Sequence, residues 1–188
     1  MRSPLGCGNH PQFLIEPCYT SDDCRLPSLT AGPDDCSERT STMQNIPQST
    51  NNPYVLADEL EARQLLNLRL VRSFSCRCCR LIWTYLPGIA QEALGIAEAS
   101  LHHQASDDLL VDMRVRLWNF LGTESCNFAS PTVNAIRAVI CCLYPDVNVN
   151  ESGDLYDMLT STMDFCNAVE PCQERQYQLL RAIFQISQ

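Results

Sequence analysis

The sequence predicts an all-α fold, a bundle of helices wrapped around one buried helix and preceded by a disordered tail. Three observations carry this. From Asn52 onward, apolar residues recur at spacings of three and four. Capping residues and helix breakers punctuate them at intervals. One stretch, Ala135 to Tyr144 (AIRAVICCLY), is apolar on every side except for Arg137, as a helix at the centre of a bundle must be. No run alternates as a half-buried strand would, and there are no internal repeats.

Residues 1–52 differ from the rest. They carry Pro4, Pro11, Pro17, Pro27, Pro33 and Pro47, many Ser and Thr, and three Arg against six Asp and Glu. Such a segment has too few periodic apolar positions to offset its ordering entropy, so it reads as a flexible acidic tail. Residues 53–188 form the predicted folded domain.

Within that domain, Asn52-Pro53 supplies an N-cap and a proline at the first helical position. The helix it opens is expected to bury Leu56, Leu60, Leu65 and Leu68. A second apolar stretch, Phe74 to Leu86, ends at Pro87-Gly88. Ile89 to Leu101 then reads as a small-residue helix with Ala90, Ala93, Leu94, Ala97 and Leu101 on one side. Ser106 caps the next helix, with Asp107 and Asp108 at its positive end. Its predicted stripe is Leu110, Met113, Leu117, Phe120 and Leu121, and Gly122 stops it. Ser130-Pro131 opens the buried helix, which Pro145 ends. Ser152 is the expected cap of a helix bearing Leu155, Met158, Leu159, Met163 and Phe165. Pro171 is expected to start the last one, with Leu179, Leu180, Ile183 and Phe184.

Composition narrows the function. The formal charge is −9, which argues against a nucleic-acid binder, since that needs a basic face to neutralise phosphates. It also disfavours electrostatic attachment to anionic lipid. No stretch reaches 18 apolar residues, so no transmembrane helix is expected. The first 20 residues lack the apolar core of a secretion signal, so the 12 Cys are expected to be reduced thiols of the cytosol or nucleus.

Every one of the 13 cations is Arg, and there is no Lys. Average usage would give about 11 Lys in a chain of this length. Codon bias alone is a poor account, because the chain has 11 Asn, whose codons share their first two bases with those of Lys. Lysine is the usual acceptor for ubiquitin and Arg cannot replace it. The pattern therefore points to a viral regulator selected to escape degradation, with nucleotide bias or an overlapping reading frame as the alternative.

Few constellations suggest chemistry. Cys76-Arg77-Cys78-Cys79 has a Cys-x-x-Cys spacing suited to zinc or redox work, but it stands alone in an apolar helical segment, where Cys packs as a small hydrophobe. Cys141-Cys142 sits inside the buried helix. Cys7, His10, Cys18, Cys24 and Cys36 in the tail match no zinc-finger spacing. His102-His103 before Asp107-Asp108 reads as a solvated helix-end loop. No phosphate loop and no triad spacing is present, so neither an enzyme nor a cofactor is expected.

Arg137 is the informative charge. An unpaired charge on an apolar helix is costly, so it either reaches solvent, pairs with an internal acid, or lies on an apolar groove and receives an acid from a partner helix. The groove candidates are Leu117, Leu121, Phe128, Val133, Ile136 and Arg137.

The stretch from about Leu56 to Val169 resembles a known family. Leu56 to Leu66 (LADELEARQLL), Leu101 to Ala105 (LHHQA), Asn127 to Pro131 (NFASP) with its following apolar helix, and Ser152 to Leu159 (SGDLYDML) are similar, in order and spacing, to four steps of the adenovirus early-region small T antigens, viral Bcl-2-like inhibitors of apoptosis. The resemblance implies a Bcl-2 fold that sequesters host pro-death proteins, BAX or BAK, through an apolar groove, in the host cytoplasm and at host membranes or the nuclear envelope. Where the family has Gly-Arg after the proline, this chain has Thr132 and Val133; Arg137, one turn on, stands in. Two rival classes remain, a secreted disulfide-linked helical ligand and a zinc-binding viral regulator.

Overall fold

The computed structural model describes residues 51–145 and 152–186. Among them are seven α-helices, two short 3-10 turns and no strand, so the all-α expectation holds. The helices are α1 (Pro53–Ala62), α2 (Leu68–Leu81), α3 (Gly88–Ser100), α4 (Asp107–Leu121), α5 (Pro131–Cys142), α6 (Ser152–Val169) and α7 (Gln173–Ile183). The expected tail, with Cys7, His10, Cys18, Cys24 and Cys36, lies outside the described residues apart from Asn51 and Asn52.

Local chemistry sets the helix starts. Asn52 Oδ1 accepts from the Tyr54 amide at 3.0 Å with Pro53 at the first helical position. Ser106 Oγ accepts from Leu109 N and Ser130 Oγ from Val133 N, each at 3.4 Å. These are the caps read from the sequence, each worth about 1 kcal/mol. The side chain of Ser152, expected as a further cap, lies outside the described residues. Gly122 ends α4 at φ 48°, a left-handed backbone that glycine adopts without strain.

Two expectations fail for stated reasons. The helix opened at Asn52 does not run to Leu68. Gln64 takes φ 56°, the chain turns, and Asn67 caps a new helix by accepting from Leu70 N at 3.0 Å. Leu65, expected in the core, is left exposed in that turn. Phe120 is also exposed, at 55%. The buried stripe of α4 is Leu110, Met113, Leu117 and Leu121; Phe120, seven residues after Met113 and so only about 20° from it around the helix, sits at the edge of that face in the last turn of α4, where it is left open. Pro171 precedes α7 by two residues; the Cys172 amide there donates to Asn167 Oδ1 at 3.1 Å.

α5 is the interior helix. From Val133 to Cys142 every residue except Arg137 is buried, and α2, α3, α4 and α6 pack against it. On α2 the Cys79 sulfur lies 3.7 Å from that of Cys142 and Arg72 donates to the Tyr144 carbonyl; the buried positions of α3 are Ala90, Ala93, Leu94 and Ala97, and those of α6 include Leu155, Leu159, Met163 and Cys166. Ala90, Ala93, Leu94 and Ala97 are buried as expected, whereas Leu101, the fifth expected position, follows the end of α3 and is half-buried; the small side chains let helix axes approach closely. α1 closes the other side, packed on α6 and α7. Two phenol–carboxylate bonds clasp it to α6. Tyr54 Oη donates to Asp164 at 2.6 Å, and Tyr156 Oη donates to Asp58 at 2.5 Å.

Candidate partner-binding site

The site is built on the one face of α5 that is not sealed. Arg137 leaves the helix between three aromatic rings. Its guanidinium carbon lies 4.5 Å from the Phe128 ring centroid, 4.9 Å from Phe165 and 5.7 Å from Trp118. Each such contact contributes about 0.5–2 kcal/mol, more where water is excluded. Arg137 Nη1 donates to the Ser125 carbonyl at 2.8 Å, and Asn134 Nδ2, one turn earlier, donates to the Phe128 carbonyl at 2.8 Å. These two bonds pin the loop between α4 and α5, so that Phe128 is held over Arg137 while remaining 58% exposed.

No carboxylate pairs with Arg137 among the described residues, and its buried Nε has no hydrogen-bond partner there. A guanidinium has five donors. Here the fold supplies rings and one carbonyl, and leaves donors for an acceptor from outside.

Arg114 of α4 is a second cation of the same kind. Its guanidinium lies 3.9 Å over the Tyr144 ring, and its buried Nε also lacks a hydrogen-bond partner among the described residues. Burial pushes the Cys141 thiol up to about 11, while a Thr162 hydrogen bond and the nearby Arg137 and Arg114 charges pull the other way. Both guanidiniums therefore act on one sulfur. Val111, Arg114, Val115 and Trp118 stand at i, i+3, i+4 and i+7 on α4, hence on one face, and Val111 and Val115 are exposed. By contrast Arg116 is paired, with Glu92 at 3.5 Å.

Of the six expected groove residues, Phe128 and Arg137 meet at the surface. Leu117, Leu121, Val133 and Ile136 are buried in the bundle interior, all at 5% exposure or less. They support the site from beneath rather than lining it. Trp118, Arg114, Phe165 and the Val111–Val115 edge belong to the open face and were not anticipated. Trp118 and Phe165 come from α4 and α6 and meet Arg137 only through tertiary packing. Arg114 sits in a run, Asp112-Met113-Arg114-Val115-Arg116, whose alternating polarity resembles a solvated face.

The sequence also did not single out Arg72, buried on α2, which donates to Ser100 Oγ at 3.3 Å and to the Tyr144 carbonyl. A signal existed: Leu68, Val71, Arg72 and Ser75 share helical spacing with the core stripe of α2.

The Cys-x-x-Cys segment is core. Cys76, Cys78 and Cys79 are buried, and Cys79 Sγ lies 3.7 Å from Cys142 Sγ. The Cys142 contact and burial hold Cys76 well above its ordinary value, and burial does so for Cys78, Cys79 and Cys142. Since the thiolate is the reactive form, these sulfurs are chemically quiet. The eight described cysteines are free thiols, and no group of three metal-ligating side chains is assembled among the described residues. His102 and His103 are exposed in the turn before α4. A concavity at the α6–α7 turn, lined by Asn167, Pro171, Cys172, Gln173, Glu174 and Arg175, involves none of the residues of the Arg137 face.

No described helix is long and apolar enough to cross a membrane. No family profile, curated protein or solved structure matches the chain.

Proposed function

We propose that the chain is a Bcl-2-like viral inhibitor of apoptosis that captures host pro-death proteins of the BAX or BAK type, acting by binding rather than catalysis, in the host cytoplasm and at host membranes or the nuclear envelope. A single observation carries the reading. Arg137 emerges from a buried central helix into a frame of Trp118, Phe128 and Phe165, beside an exposed apolar edge of α4, with no acid paired to it among the described residues. A helix-in-groove partner needs apolar anchors and one polar fixing point, and this face offers both. The four ordered likenesses to the small T antigens supply the choice of partner. Thr132 and Val133 leave no cation directly after Pro131, and Arg137 takes that role.

The test is co-purification of BAX or BAK with the wild-type chain and with Arg137→Glu, together with protection of cells from a death stimulus. The expected result is loss of capture and of protection by a variant that keeps its helical circular dichroism. Capture unchanged in the folded variant removes Arg137 from the mechanism. Absence of capture by the wild type removes the reading.

A further inference from the structure

We infer that Cys79 of α2 and Cys142 of α5 are a redox-sensitive pair, which hydrogen peroxide closes to a disulfide that staples α2 onto the interior helix. The inference is independent of the helix-capture reading above.

Geometry carries it. The two sulfurs lie 3.7 Å apart, although 63 positions separate the residues in the chain. A disulfide holds its sulfurs about 2.05 Å apart, so the pair has to close by about 1.7 Å. Both residues are fully buried, and α2 and α5 pack directly against each other. Cys142 Sγ also donates to the Ala138 carbonyl, one turn back on its own helix, at 3.5 Å. Alanine or valine would fill such a position without redox chemistry; two thiols in contact bring it.

The chemistry runs in two steps of different speed. Burial holds both thiols well above their ordinary value, so little thiolate is present to attack the peroxide and the first step is slow. It breaks the peroxide O–O bond, converts the Cys79 thiol to a sulfenic acid and releases one water. The second step is fast, because the Cys142 sulfur is already in contact and nothing has to diffuse in. Cys142 attacks the Cys79 sulfur, the S–O bond breaks, the S–S bond forms, and the hydroxyl leaves with the Cys142 proton as a second water. Two thiols and one peroxide thus give one disulfide and two waters, with two electrons passing from sulfur to oxygen.

The test incubates the reduced full chain with excess hydrogen peroxide, caps the remaining thiols with N-ethylmaleimide in denaturant, and maps the cysteines by tandem mass spectrometry without reductant. Fragmentation separates Cys79 from Cys78 and Cys142 from Cys141. The expected result is a Cys79–Cys142 link that forms over hours and disappears with dithiothreitol. It should raise the melting temperature by about 5–10 °C, as a closed loop of that length implies, and Cys142→Ala should show no such rise. Both sulfurs remaining thiols once Cys126 is fully oxidised overturns the inference. So does a stable sulfinic acid on either one, or a link from Cys142 to Cys76, since the 3.7 Å contact would then not direct the chemistry. The wild-type map decides the matter whether or not the Cys142 variant folds.

Discussion

The Phe128 ring lies 4.5 Å from the Arg137 guanidinium, and the fold fixes the two together through Asn134 and Ser125 rather than through an acid. Exposed aromatic surface and a cation that pairs with no acid among the described residues are thus held in contact. Elsewhere in the bundle each would be a liability. Together they separate residues that hold the protein up from residues that face outward.

That separation is measurable. Leu117→Ala and Ile136→Ala each remove a side chain at 1% exposure or less and should cost about 2–5 kcal/mol in urea unfolding. Phe128→Ala removes mostly solvated surface and should cost under about 1 kcal/mol, while weakening partner capture. A Phe128 variant as unstable as the Leu117 variant would place Phe128 in the core.

Alkaline pH should loosen the clasp between α1 and α6. Burial first, then the Asp164 bond, push the Tyr54 hydroxyl up from 10.0 to about 12; the Asp58 bond does the same for Tyr156. A pKa raised in the folded state means that its contribution is complete below pH 10 and is lost as pH rises toward 12. The melting temperature should fall across that window. The Tyr54→Phe/Tyr156→Phe double variant should fall less steeply, and an unchanged slope would show that the two phenols are not the titrating groups.

Thiol reactivity should follow burial. Iodoacetamide labelling of the native chain, mapped by mass spectrometry, should modify Cys126, the one exposed cysteine among the eight described. Cys76, Cys78, Cys79 and Cys142 should react only after denaturation. Native labelling of Cys79 within minutes would contradict the packing of α2 against α5.

The absence of lysine predicts lifetime. Arg63 and Arg175 are exposed, so Arg63→Lys or Arg175→Lys should leave stability within about 0.5 kcal/mol. In cells either should shorten the half-life in a way that a proteasome inhibitor reverses. Equal half-lives in a cycloheximide chase would return the feature to composition.

The sequence made α5 legible because burial on every side leaves a continuous apolar run, and Ser130-Pro131 marks its start. Three of the four side-chain caps could be read for the same local reason. The break at Gln64–Asn67 could not, since Leu60, Leu65 and Leu68 keep near-helical spacing across it and no proline or glycine intervenes. At the site, Arg137 stood out because it interrupts an apolar run. Arg114 did not, because its ring partner, Tyr144, lies 30 positions away, beyond the end of α5, and meets it only through tertiary packing. Leu117 and Ile136 looked like groove residues because apolar spacing alone does not distinguish a wall of the core from a wall of a cleft.

The two clasps on α1 join residues 110 and 98 positions apart. Closing a loop of that size costs entropy that only late contacts recover. On that ground the contacts that seat α1 on α6 are expected to form late in folding. Such bonds act chiefly on how fast the protein comes apart, and little on how fast it forms. A chain without lysine offers no acceptor amine on its side chains, and slower opening of this clasp would add to its lifetime by a separate route, one that the Tyr54→Phe/Tyr156→Phe variant tests through its unfolding rate.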